Sequence, residues 1–307
     1  MDAIDFDTDF APVPGRVERI SPLVRRLVCN NPGPFTFTGT NSYIIGNGEV
    51  AVIDPGPDND EHWAALTAAL TGETVSHIFV THTHRDHSPL AKRLKEATGA
   101  PTLAFGPHGS GQVTRVRSLG GPLLDASGDL DFVPDIALAD GATVTGRDYA
   151  ITALFTPGHT SNHMAFRLED ERALFSGDHV MSWATSVIAP PDGHMGQYMA
   201  SLRRLLDGSD RVYWPGHGPG RAEPRALVRA ILAHRQMREA AVLERISSGD
   251  RSVSAIVARI YAAVDPRLHG AAALSTLAHI EHLVEQGKVM TDGDLSLESE
   301  YYAVGKR

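Results

Sequence analysis

The chain of 307 residues has one cysteine, Cys29. That excludes an intramolecular disulfide and fits a reducing compartment, with a small buried side chain as the simplest role for Cys29. No apolar run approaches the roughly 20 residues that a membrane-spanning helix needs. The first ten residues, Met1 to Phe10, are acidic and have neither the basic start nor the apolar core of a secretory signal. A soluble cytoplasmic protein without membrane contact is expected. Positive charge is also scarce: 28 Lys and Arg stand against 37 Asp and Glu, a net charge of −9. This argues against generic, charge-driven binding to nucleic acid but leaves room for a local basic groove. Internal repeats and low-complexity tracts are absent. What is plentiful is apolar content, 42% of the chain, enough for one large domain and a smaller one.

Histidine is concentrated in one stretch, Thr81-His82-Thr83-His84-Arg85-Asp86-His87. The apolar run His77 to Val80 before it reads as a short buried strand, and Ser88 to Glu96 after it reads as the start of a helix. The cluster therefore sits on a strand-to-helix loop, where α/β folds place their chemistry. Imidazoles and a carboxylate this dense make a nitrogen and oxygen donor set suited to zinc and related divalent metals. Side chains two apart in extended chain share a side, so His82 and His84 can grip one ion while Asp86 and His87 reach another.

Other strand ends repeat the pattern. The run 43–46 and the run 50–53 read as strands paired around the Asn47-Gly48 turn, the second ending in Asp54, which is placed to orient a metal-binding imidazole or, alternatively, to cap its turn. A helix is expected from about Asp60 to Leu70, and further strands over 101–105, 150–155 and 164–168. Thr156-Pro157-Gly158-His159-Thr160 follows the strand ending at Phe155, Ser176-Gly177-Asp178 closes another apolar run, and Pro215-Gly216-His217-Gly218 closes a third. Three strands thus end in small-residue turns carrying one candidate ligand each. Between Gly106 and Ile136 the composition is rich in Gly, Pro and Asp without a period, which predicts a long loop or lid. From about Ala222 the pattern becomes helical, with helices over 226–246, 253–264 and 271–286 and a closing hairpin of 289–290 with 300–304. This describes a winged-helix unit. Its candidate recognition helix carries Glu281 and Glu285 and no Lys or Arg before Lys288, so DNA reading is not expected and a docking or pocket-forming role is.

With these residues in view, the chain resembles the metallo-β-lactamase fold superfamily. His82, His84, Asp86, His87, His159, Asp178 and His217 occur in that family's order and local contexts over residues 1 to about 222. Within the superfamily it looks like the beta-lactamase-like protein 2 group. The stretches that carry this are Asn31-Pro32-Gly33-Pro34 with Gly39 to Tyr43, Pro190 to Met195 with Tyr198 to Leu202, and His234-Arg235 with Arg238-Glu239, followed by the winged-helix-like end. The resemblance implies an α/β fold, an αββα sandwich over 1–222 followed by a helical winged-helix-like domain over 223–307. It also implies two metal ions, zinc by preference with iron or manganese as alternatives. His82, His84 and His159 would hold the first, Asp86, His87 and His217 the second, and Asp178 would bridge them.

Such a pair lowers the pKa of a bridging water and so supplies hydroxide at neutral pH. Asp86 and Asp178 are the expected catalytic carboxylates, Asp86 positioning the nucleophile or taking its proton. His163 and His179 have two readings, a role in the site or a packed position. The same holds for His194 and, as pocket-lining candidates, for Trp183, Met181 and Tyr198. Three functions remain open. The first is a hydrolase of an ester, thioester, lactone or related small-molecule or acyl bond. The second is a single-strand-directed endoribonuclease, with RNA led in by Lys92, Arg93, Lys95, Arg115, Arg117, Arg203 and Arg204. The third is a non-enzymatic partner-binding module, disfavoured because structural zinc has a closed four-ligand shell. The acidic balance favours the first, while the resemblance to the subgroup, whose relatives include single-strand-directed ribonucleases as well as acyl-carrier thioesterases, pulls toward the second.

Overall fold

The computed structural model describes residues 4–116, 127–265 and 268–305. Arg117 and the middle of the expected 106–136 loop lie outside the described residues. The first sheet has seven strands in chain order: β1 (Glu18–Arg19), β2 (Val24–Val28), β3 (Asn41–Asn47), β4 (Glu49–Ile53), β5 (Thr74–Phe79), β6 (Thr102–Ala104) and β7 (Ile136–Ala137). The first four run antiparallel, and β4 to β7 are joined in parallel, with α1 (Asp60–Ala69) and α2 (Leu90–Thr98) as crossovers. The second sheet holds β8 (Thr143–Thr145), β9 (Ala150–Phe155), β10 (Met164–Leu168), β11 (Ala173–Gly177), β12 (Val212–Pro215) and β13 (Arg221–Ala222), with α3 (Met195–Leu206) crossing between β11 and β12.

Strand alternation explains how the sheets stack. Tyr43 and Ile45 of β3 meet Met164, Phe166 and Phe175 of the second sheet in a shared core, while Ile44 points the other way into a core with Leu66 of α1 and Leu94 of α2. Leu174 and Ala165 likewise turn outward, onto Met195, Tyr198, Met199 and Leu202 of α3. Four layers result, helix, sheet, sheet, helix, as the αββα expectation has it. The α3 helix is absent from the sequence reading although its buried residues, Met195, Tyr198, Met199, Leu202 and Leu205, follow helical spacing. The short strands β7, β8 and β13 are absent from it too, being two or three residues long.

The C-terminal part consists of α4 (Arg225–Ser247), α5 (Val253–Ile260), α6 (His269–Glu285) and the hairpin β14 (Val289–Thr291) with β15 (Tyr301–Ala303). Helix α4 belongs to two cores: Leu227, Val228 and Ile231 pack under the second sheet, while Val242 and Ile246 pack with Ile256, Leu277 and Tyr301. No helix of the described residues is long and apolar enough to cross a membrane.

Candidate metal centre

The candidate ligands gather at one edge of the sandwich because each leaves the end of a strand. Residues 81–87 follow β5, His159 follows β9, Asp178 follows β11 and His217 follows β12. The small residues beside them are required by close approach. A Cβ on Gly216 would lie 2.4 Å from Asp178 Oδ1, and one on Gly158, whose φ is +140°, would lie 2.3 Å from the Tyr198 Cα. Asp54, at the end of β4, adopts a left-handed φ of +49°, strained for a side chain-bearing residue.

Two donor groups form. His82, His84, His159 and Asp178 make one, and Asp86, His87 and His217 the other; within each, one ligand atom per residue lies within 4.8 Å of all the rest. In the first, His84 Nδ1 is 3.0 Å from His82 Nε2 and 3.2 Å from His159 Nε2. In the second, His217 Nε2 is 3.1 Å from Asp86 Oδ2 and 3.3 Å from His87 Nε2. Asp178 faces both: Oδ2 is 3.6 Å from His159 Nε2 and 3.3 Å from His217 Nε2, and Oδ1 is 3.6 Å from His87 Nε2.

The hydrogen bonds behind the rings decide what these close nitrogens present. Thr81 Oγ1 donates to Asp54 Oδ2 at 2.7 Å, so it is left to accept from His82 Nδ1 at 3.0 Å. His87 Nδ1 donates to Asp54 Oδ2 at 2.9 Å, His159 Nδ1 to the Val187 carbonyl at 2.7 Å, and His217 Nδ1 to the Gly39 carbonyl at 3.2 Å. Four rings therefore carry a proton at the back and aim Nε2 into the cleft, as a lone pair wherever the ring is neutral. Lone pairs facing one another at such distances repel, and Asp178 Oδ1 is buried with no hydrogen-bond partner. A cation between them relieves both conditions, so this donor set fits divalent metal ions. The back-side carboxylate and carbonyls are the outer partners that fix ring orientation in such sites.

Charge divides the two groups. Burial holds His84 down to about 3, helped by the neighbouring His159, and it holds His82 well below its usual range. Burial also works against the charged form of His217, but Asp178 and Asp86 outweigh it and raise the imidazole to about 9. His87 rises for the same reason, with Asp86, Asp178 and Asp54 beside it. Burial pushes the Asp178 carboxyl up, yet the imidazoles of His217 and His87 prevail and keep it well below the usual carboxylate range.

His163 and His179 are fully buried behind the centre. His163 Nδ1 meets Thr156 Oγ1 at 2.8 Å, and the His179 ring stands edge-on to Tyr198 at 4.6 Å. Tyr198 and Met181 belong to the interior. Trp183 stacks on Phe37 at 4.8 Å and 11°. His194 caps α3, its Nδ1 accepting from Gln197 N at 3.2 Å, and its Nε2 donates to Glu285 Oε1 at 2.9 Å. Of the basic residues, Arg93 pairs with Asp58 and Asp60, Lys95 with Asp135 and Arg204 with Asp140.

Some supporting residues escape the sequence reading. Asn41 donates through Nδ2 to the Pro215 and Gly218 carbonyls, both at 2.9 Å, which clamps the turn that carries His217. Thr81 and Ser186 act similarly for His82 and for the backbone after Asp178. A buried polar residue at the start of a strand, as at Asn41, is the one signal that marks such a role.

The metallo-beta-lactamase superfamily model matches residues 35–217, and the beta-lactamase associated winged helix domain matches residues 252–298. The chain belongs to the metallo-beta-lactamase superfamily. It is 33% identical over 254 residues to an atrochrysone carboxyl ACP thioesterase of Aspergillus terreus, spanning 81% of this chain and 71% of that one. To a beta-lactamase-like protein 2 homolog of Caenorhabditis elegans it is 30% identical over 246 residues, 78% of this chain and 76% of the relative. In fold it matches a beta-lactamase domain protein from Burkholderia ambifaria with a TM-score of 0.79 at 22% identity, covering 98% and 97% of the two chains. This superfamily member is a hydrolase with a C-terminal winged-helix domain.

Proposed function

We propose that the chain is a metal-dependent thioesterase acting on an acyl group carried as a thioester, with a dinuclear centre, zinc by preference. His82, His84 and His159 hold one ion, Asp86, His87 and His217 the other, and Asp178 is shared. The observation that carries the dinuclear reading is the double reach of Asp178, whose oxygens face His159 on one side and His217 and His87 on the other. When bound, the ions supply a water acidified to near neutral pH and polarise the scissile acyl oxygen.

The chain's own residues do the rest. Their Nε2 lone pairs and His84 Nδ1 fix the centre, with four rings locked from behind so that little reorganisation is needed. Asp86, its side chain 26% exposed where that of Asp178 is 9%, faces the entrance. Its carboxylate, kept ionised against burial by His87 and His217, positions the attacking water. Trp183 and Phe37 form an aromatic wall beside the turn of His217 and Gly218, where an acyl chain can pack. Residues 1–222 form the hydrolytic unit and 223–307 the appended module.

The thioester is favoured by the 33% identical relative, which is named as an acyl-carrier thioesterase. The RNA alternative draws no support from the basic residues, three of which are paired with aspartates. The deciding test is turnover by zinc-loaded protein, with a His84→Ala control, on acyl thioesters, lactones, a β-lactam and a labelled single-stranded RNA. Thioester cleavage that vanishes in the control is expected. Cleavage of RNA alone would replace this reading with the ribonuclease.

A further inference from the structure

The ligand rings are not all held by the same part of the molecule. His82 and His87 are set by Thr81 and Asp54, and His217 by the Gly39 carbonyl, all within the two-sheet unit. His159 differs. Its Nδ1 donates to the Val187 carbonyl, and the residue before that carbonyl, Ser186, is gripped from the C-terminal part: Arg235 of α4, only 4% exposed, donates through Nη2 to the Ser186 carbonyl. The same guanidinium lies over the Tyr198 ring at 5.4 Å, a second contact with the α3 side of the site.

A second support approaches from the other side. Glu285 of α6 accepts from His194 Nε2, and the His194 backbone N–H donates at 2.9 Å to the carbonyl of Gly158, the residue immediately before His159. His159 is thus held both at its ring and at its backbone by segments that α4 and α6 keep in place.

We infer that the C-terminal domain is a positioning device that acts mainly on the first ion: Glu285 reaches His159 alone, whereas Arg235 reaches His159 through Val187 and, because Ser186 Oγ donates to the Asp178 carbonyl, the shared Asp178 as well. This rests on the dinuclear reading above and adds a division of labour between its two halves. An imidazole freed to rotate presents its lone pair less often, and loss of an outer contact of this kind typically weakens metal affinity by about 10–100-fold. A partner-binding module would give no such asymmetry.

The test is zinc uptake by the full-length, metal-stripped protein, titrated against a chromophoric chelator, for wild type, Arg235→Met, Glu285→Ala and Glu285→Gln. Melting temperatures of the metal-free forms are measured alongside. Glu285 has a partly exposed side chain, so its variants keep the test open if Arg235→Met fails to fold. The expected result is two equivalents in wild type; Glu285→Ala weakens one equivalent about tenfold and leaves the other unchanged, and Arg235→Met weakens the same equivalent about tenfold or more and the other by less. Glu285→Gln, which still accepts from His194, should restore the weakened equivalent. Wild type with two equivalents and variants indistinguishable from it, or variants that lose both ions equally, would overturn the inference while leaving the dinuclear centre intact. Wild type with fewer than two equivalents would overturn the dinuclear reading and this inference with it.

Discussion

The two donor groups lie side by side, yet they are built on opposite electrostatic plans. His87 and His217 stand among carboxylates and are pushed upward in pKa, whereas His82 and His84 stand among imidazoles, are buried and are pushed downward. Without metal, one group stores a proton where a cation would sit and the other stays neutral. Metal therefore enters the first group by simple coordination but enters the second by exchange for a proton. Asp178 joins the two plans, because its charge raises the rings of one group and lies at the edge of the other.

The sharpest way to break the comparison is to remove that shared charge. In Asp178→Asn the second group loses a reason for its raised pKa and both groups lose a ligand atom. Turnover should fall by more than the roughly 100-fold upper end for an outer contact, and metal content should drop at both positions. Retention of one full equivalent with wild-type affinity, measured by elemental analysis, would show that Asp178 serves one ion only.

Next in size is Asp54→Ala. Asp54 accepts from Thr81 N at 2.7 Å, from Thr81 Oγ1 and from His87 Nδ1. Removing it strands buried donors, at a cost of about 1–3 kcal/mol of stability. It should also weaken the His87 ion by about 10–100-fold while the first ion suffers less, since His82 is reached only through Thr81. Denaturant unfolding of the metal-free protein and a zinc titration separate the two effects.

Asp54 also shows how much was legible in the sequence. The ligands themselves are side chains at strand ends in small-residue turns, so order and local context reveal them. A carboxylate ending the strand before the histidine loop is also visible, and it does meet His87. The carbonyls of Val187 and Gly39 that orient His159 and His217 carry no sequence signature, because any residue supplies a carbonyl. Arg235 is visible only as part of a motif; its meaning depends on a contact with Ser186, 49 positions away. Helix α3 is hidden for another reason: its first turn follows a Pro- and Gly-rich loop and is capped by a histidine instead of the usual Ser, Thr, Asp or Asn.

A milder perturbation, pH, sharpens the comparison without mutation. His217 is raised from its ordinary 6.5 to about 9 in the metal-free protein. Below about 9 it holds a proton that metal must displace, so the apparent affinity of the second group should fall with falling pH, by up to about tenfold per unit for each proton displaced. His84, at about 3, has no proton to give up near neutrality, so the first group should respond far less. The sign reverses for metal-free stability. A raised pKa contributes most below the unfolded value, so that contribution should disappear as pH climbs from about 6.5 through about 9. Competition titrations and melts across this window check both; equal pH slopes for the two ions would remove the distinction between the groups.

The smallest expected effect concerns the C-terminal domain as a DNA reader. Helix α6 commits its acidic residues to contacts within the protein. Glu281 is fully buried and accepts from Thr114 Oγ1 at 2.7 Å and from Arg115 N at 2.6 Å, and Glu285 accepts from His194. A recognition helix must offer a free, basic face to the major groove, and this one gives its acidic side chains to the loop at 114–115 and to the cap of α3. Fluorescence anisotropy with labelled duplex DNA should therefore show no binding at low salt. Binding that weakens with salt at the slope of several phosphate contacts would mean that the domain has a ligand of its own, and the contrast between a self-supported group and a C-terminally supported one would need a second explanation.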